Sequence, residues 1–245
     1  MSTTSAPASM TALPEAARGP LEELREALVG AQAANLVALV VYGSAVRGGY
    51  DPRSSDIDLV VVLEDTAPDR LAACAPALMR ARFRARVEAM ILKRDNIAAA
   101  ADVFPLLYDD IRSRHALLAG ADVFAALEIS DAHRRLRIEQ ELREARIRMR
   151  RAIVDAKGSD AAVAAALARK VKQVRSPLHA LLCLKGLSCD DALEPVIAAA
   201  GRAYGIDTAP LLRIGDDPSA GHAAFRALLD AAIADVDRLE IGPRA

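Results

Sequence analysis

The chain has no tryptophan, and only 3% of its 245 residues are aromatic. Proteins that grip single-stranded nucleic acid do so largely by stacking bases on aromatic rings, and here there are few rings to stack on. Charge offers no substitute. The 32 Lys and Arg residues are balanced by 33 Asp and Glu, for a net charge of −1, so no global field draws a polyanion. Nucleic acid is therefore not an expected partner, and any nucleotide must be bound locally. The three cysteines, Cys74, Cys183 and Cys189, form neither a Cys-x-x-Cys pair nor a disulfide framework. They are expected to be small core hydrophobes in a reducing cytoplasm. His115, His133, His179 and His222 show no metal-ligand spacing. No apolar run approaches the roughly 18 to 20 residues of a membrane-spanning helix. Residues 1–20 lack the basic start and apolar stretch of a secretion signal. A cytoplasmic protein with no membrane partner is expected.

What is present is a balanced globular composition, 53% hydrophobic and 27% charged, enough to build a real core. A Ser/Thr/Ala/Pro-rich tail, residues 1–20, precedes a helical pattern over residues 21–35 that starts just after Pro20. Two short apolar runs, Leu36–Tyr42 and Ile57–Leu63, read as buried strands. The turn-prone segment 48–55 lies between them, with Gly-Gly, Asp-Pro and Ser-Ser pairs. Helical spacing returns over residues 69–86. A third strand is predicted at residues 87–92, then a short helix at 96–101 and an apolar run at 103–108. Alternating strands and helices make the first half α/β.

Past Gly120 the chain is rich in Ala, Leu and Arg and nearly free of β-branched runs, so the second half is expected to be helical. Ile138, Leu142, Ala145, Met149 and Ala152 fall at alternating spacings of four and three, one apolar stripe on a helix over residues 134–156. Further helices are expected at 160–185, with a kink near Pro177, at 190–204 and at 219–239. A helical bundle would bury them all. The basic residues Arg143, Arg146 and Arg150 are interleaved with Glu139, Glu141 and Glu144, which reads as a self-paired solvated face.

The chemistry is concentrated between Val41 and Leu63. Side chains alternate along a strand, so Asp56 and Asp58 share one side while Ile57 and Leu59 point into the core. Two carboxylates this close repel unless one is protonated or a cation binds, and an oxygen-rich set suits Mg²⁺, which also takes phosphate oxygens from a substrate. Gly43 permits close backbone approach, the Ser44 hydroxyl can bind anionic oxygens, and Arg47 can add positive charge. There is neither a Gly-Lys-Ser/Thr nor a Gly-x-Gly-x-x-Gly string, which excludes P-loop and dinucleotide-binding readings.

Gly43-Ser44, eleven intervening residues, then Asp56-Ile57-Asp58 on an apolar strand resembles the nucleotidyltransferase superfamily that includes DNA polymerase beta, kanamycin nucleotidyltransferase and the small bacterial minimal nucleotidyltransferases. The resemblance implies a nucleotidyltransferase domain of α/β (α+β) class with a short mixed sheet, at residues 21–125, and an all-α helical-bundle domain at residues 126–245. It implies that Gly43 and Ser44 contact the triphosphate and that Asp56 and Asp58 bind Mg²⁺. It also implies a third carboxylate on a later strand. Glu88 occupies that position, a Glu where Asp is commoner, with Asp109 and Asp110 in reserve. The implied reaction moves a nucleoside monophosphate, AMP from ATP, to a hydroxyl and releases pyrophosphate. An aminoglycoside-like small molecule and a protein hydroxyl both remain open as acceptor. The alternative is a catalytically degenerate nucleotide-binding or antitoxin-like module. The oligomeric state is open, a homodimer included.

Overall fold

The computed structural model describes residues 8–241, in two compact units that meet in sequence between Ile129 and Ser130. In chain order the first unit carries α1 (Glu15–Gln32), β1 (Leu36–Tyr42), α2 (Ser44–Arg47), β2 (Ile57–Leu63), α3 (Pro68–Ala85), β3 (Val87–Lys93), α4 (Arg94–Ala99), α5 (Pro105–Ser113) and β4 (Ala116–Gly120). The second carries α6 (Asp131–Ala156), α7 (Asp160–Gln173), α8 (Arg175–Leu184), α9 (Leu193–Tyr204), α10 (Ala209–Leu212) and α11 (Pro218–Arg238). The fold is a mixed α/β unit followed in sequence by a helical one, as the resemblance implies. Among the described residues no helix is long and apolar enough to cross a membrane.

The four strands lie in the order β3-β2-β1-β4. β1 runs antiparallel to both β2 and β4, while β3 runs parallel to β2, connected through α3. Helices cover both faces, which is why β1 and β2 read as continuous apolar runs with no polar alternation. Leu39, Val41, Ile57, Leu59, Val61 and Leu63 pack toward α1 and α3, in a core with Leu21, Leu24, Leu28 and Ala77. Ala38, Val40, Val60 and Val62 form the opposite core with Ile97, Tyr108, Ile111 and Phe124. Fully burying one such aliphatic side chain stabilises by about 1.5–3 kcal/mol.

Several boundaries differ from the sequence expectation, by two or three residues at α4, α6 and α9 and by more at three places. Helix α1 begins at Glu15 and contains Pro20. Leu13 and Ala17 are buried at 1% and 0% exposure, and that burial outweighs the backbone hydrogen bond Pro20 cannot make. Of the expected loose tail, residues 1–7 lie outside the described residues. The predicted helix over 160–185 is two helices that divide at Val174, three residues before Pro177. Lastly, the apolar run at 103–108 leads into α5, with Pro105 at its first turn.

In the second unit α6 packs against α7, α8 and α11. Its buried stripe is Ile138, Leu142, Ala145, Met149 and Ala156. Ser130, Ser159 and Asp217 cap α6, α7 and α11 by accepting from the backbone N–H of His133, Ala162 and Ala220. The arginines of α6 are held by acids. Arg137 pairs with Glu141 and Arg143 with Glu139, and Arg143 and Arg146 also reach Asp237 and Asp230 on α11. Cys74 is buried, but Cys183 is exposed and Cys189 intermediate, which corrects the expectation that all three are core residues. Cys183 lies in the last turn of α8, outside its buried set of Leu178, Leu181 and Leu182, and Cys189 lies in the connection to α9.

Candidate functional site

The site begins where β1 ends. Gly43 has φ 76°, in the region that favours glycine, and turns the chain into the single turn of α2. A Cβ built on it would overlap Asp58 Oδ2 and come within 3.1 Å of Asp58 Cγ. The missing side chain is thus what allows Asp58 to lie against the β1 end. Ser44 opens α2, and its hydroxyl makes no hydrogen bond to another described residue.

The pairing register then assembles a row. Tyr42 on β1 is opposite Asp58 on β2, and Asp58 is opposite Glu88 on β3. Two residues further into the sheet the equivalent row is Val40, Val60 and Met90. Because pleat direction repeats every two residues, the polar row stands on the same face as Val40 and Val60, the face that α5 covers through Tyr108 and Ile111. This brings Asp110 of α5 into the neighbourhood. Arg47 Nη1 lies 3.5 Å from Asp110 Oδ2, and both side chains are largely buried, at 12% and 19% exposure. The backbone carbonyl of Arg47 accepts from Arg114 Nη1 at 3.2 Å.

Asp58 carries the strongest electrostatic signature. Burial pushes its carboxyl up to about 6; Arg47 opposes the shift, and Asp56, Asp110 and Glu88 reinforce it. Tyr42 responds to the same field: burial, then Asp58 and Asp110, raise its phenol to about 12 against Arg47. Asp58 has no ion pair among the described residues. The two flanking acids do. Asp56 Oδ1 accepts from Arg86 Nε at 2.9 Å, and Glu88 Oε1 stands 3.2 Å from Arg82 Nη2. Asp109 pairs instead with Arg112, at 3.8 Å.

The structure therefore gathers Gly43, Arg47, Asp58, Glu88 and Asp110 at one end of the sheet, with Asp56 at the entry to β2. Asp109 and Asp110 lie inside α5 and do not cap it. Tyr42, Arg82 and Arg86 are additions. The sequence signal for Tyr42 was its place just before Gly43. Arg82 and Arg86 are spaced four apart, which in sequence looks like any solvated helix end.

The donor chemistry fits a divalent cation, since a partly desolvated carboxylate with three acids in its field has negative charge to neutralise. As the side chains stand, no three His, Cys, Asp or Glu groups among the described residues converge closely enough to hold a metal. Asp56 and Glu88 are engaged with guanidiniums.

Comparison with known proteins adds two findings. A family model described as a nucleotidyltransferase domain matches residues 21–148. The structure is similar to the crystal structure of spectinomycin adenyltransferase from Enterococcus faecialis with ATP and spectinomycin. The TM-score is 0.55 at 11% sequence identity, over 90% of this chain and 99% of that chain. At such identity the likeness is one of fold. No curated protein matches the sequence.

Proposed function

Because the chain belongs to the nucleotidyltransferase domain family, we propose that the row on β2 and β3 is a Mg²⁺-dependent active site that moves AMP from ATP to a hydroxyl and releases pyrophosphate. The observation that carries this reading is Asp58, pressed against the side-chain-free Gly43 and directly opposite Glu88. Asp56 and Asp58 would hold the metal. Mg²⁺, when bound, neutralises the triphosphate and the departing pyrophosphate.

The chain's own residues do the rest. Gly43 gives Asp58 its room at the end of β1 and offers its backbone to the triphosphate, and the Ser44 hydroxyl donates to a phosphate oxygen. Arg47, fixed beside Asp110, keeps a positive charge within the field of Asp58. Glu88 accepts the proton of the attacking hydroxyl, a role that needs hydrogen-bond reach to the acceptor. Asp110 is the second candidate for it. In this reading residues 21–125 are the catalytic domain and 126–245 a helical domain, and the protein works in the cytoplasm.

The similar fold of an enzyme solved with ATP and spectinomycin supports ATP as donor and an aminoglycoside-like small molecule as acceptor. A protein hydroxyl is the competing acceptor. One observation favours a second reading, a nucleotide-binding module without turnover: Glu88 is already paired with Arg82. Incubating the chain with Mg²⁺, labelled ATP and a panel of aminoglycosides, spectinomycin, proteins and RNAs separates the readings. Acceptor-dependent pyrophosphate release supports transfer, whereas ATP binding with no release from any acceptor supports the module.

A further inference from the structure

Two arginines, four residues apart, close α3. Arg82 lies in its last turn and Arg86 follows as its C-cap, with φ 53° and its N–H bonded to Arg82 O. The carbonyl of Arg86 accepts from Ile57 N at 3.1 Å, which ties this backbone to the start of β2, next to Asp56. From there Arg86 Nε holds Asp56 Oδ1 at 2.9 Å and Arg82 Nη2 holds Glu88 Oε1 at 3.2 Å. Each guanidinium engages one of the two carboxylates that flank Asp58.

We propose that Arg82 and Arg86 are a built-in counter-cation that weakens metal binding at the nucleotide-free site and hands Asp56 and Glu88 over when a triphosphate arrives. The proposal rests on the reading of Asp56, Asp58 and Glu88 as metal-binding and catalytic carboxylates. Its physical basis is an exchange of partners. All four side chains are about half exposed, at 65% and 49% for Arg82 and Glu88 and 52% and 48% for Arg86 and Asp56. Exposed ion pairs are each worth no more than about fivefold in an equilibrium. They bias the site without sealing it. A guanidinium binds phosphate oxygens as readily as carboxylate oxygens, so an incoming triphosphate offers both arginines new partners while the freed carboxylates meet the cation. Metal alone would have to displace Arg82 from Glu88 and Arg86 from Asp56 with no new anion for either guanidinium to bind. Triphosphate arriving with the metal supplies that anion. Nucleotide and metal should therefore bind with positive coupling, and the coupling must be reciprocal.

The test compares the full chain with its Arg82→Gln/Arg86→Gln variant and with each single variant. Mn²⁺ binding is followed by electron paramagnetic resonance, with and without α,β-methylene-ATP. Without nucleotide the double variant should bind Mn²⁺ about 3- to 30-fold more tightly than the wild type, and the single variants should fall between. The analogue should tighten Mn²⁺ binding more in the wild type than in the double variant. Equal Mn²⁺ affinity of the two nucleotide-free proteins, with analogue-dependent binding retained, overturns the counter-cation and leaves the site reading standing. No Mn²⁺ binding by either protein even with analogue overturns both. Circular dichroism checks that the variants, altered only at exposed positions, remain folded.

Discussion

Asp58 and Glu88 face each other across the only parallel strand pair among the described residues, β2 and β3, in direct register. The register is enforced by everything behind it, from Val60 opposite Met90 to Leu63 opposite Lys93. A slip by one residue would turn Glu88 to the other face of the sheet. The spacing of the two acids is thus a property of the sheet, not of a loop.

If Asp56 and Asp58 are the metal pair, the double variant Asp56→Asn/Asp58→Asn should lose at least about 10³-fold in Mg²⁺-dependent pyrophosphate release, the scale of charge stabilisation in such sites. Its circular dichroism spectrum should match that of the wild type. Turnover at the wild-type rate would remove the site from this part of the sheet.

The third acid is decided by comparing two conservative variants. Glu88→Gln should reduce kcat by about 10²–10⁴-fold, the usual contribution of a general base, and Asp110→Asn by less, because Asp110 is occupied with Arg47. Single-turnover rates measure both. The reverse order of effects would give the role to Asp110.

Much of this was legible in the sequence and some was not. Gly43, Ser44, Asp56 and Asp58 lie within one short stretch whose apolar flanks mark β1 and β2, so their juxtaposition follows from a local strand-turn-strand pattern. Strand β4, residues Ala116–Gly120, is Ala- and Gly-containing with no β-branched side chain. It exists because β1 offers it a partner, and that tertiary pairing leaves no trace in local propensity. Asp110 reaches the site only because α5 packs over Val40 and Val60, and Arg82 and Arg86 only because α3 ends beside β2. Helical periodicity shows which face is apolar, not what stands opposite the polar one.

The raised carboxyl of Asp58 makes a signed prediction for stability. Its ordinary value is 3.8 and its folded value about 6, so the folded chain holds the proton more tightly than the unfolded one. That contribution is complete below about pH 4 and is lost as pH rises through about 6. In EDTA, the wild type should lose about 1–3 kcal/mol from this group between pH 4 and pH 7.5. Asp58→Asn should show a correspondingly flatter profile over that window. Thermal unfolding at several pH values gives both curves, and identical slopes would assign the effect elsewhere. Metal affinity should fall below about pH 6 for the same reason, because protons compete for the ligand.

Gly43→Ala tests the close approach at the β1 end. The new Cβ meets Asp58, and φ 76° is strained for alanine. A loss of about 1–3 kcal/mol in stability is expected, with about 10²-fold or more in kcat/KM from a displaced carboxylate. Wild-type kcat/KM in Gly43→Ala would mean that Asp58 is not held where the reaction needs it.

Arg86 occupies a left-handed helix cap, φ 53°, a place where glycine carries no steric penalty and a side chain does. Arg86→Gly should therefore raise the melting temperature or leave it unchanged while stripping Asp56 of its guanidinium. At this one residue the stability of α3 and the control of the site pull in opposite directions. Selection for a sturdier fold alone would erode the proposed restraint on Asp56, an exchange of control for robustness set here by a single backbone angle.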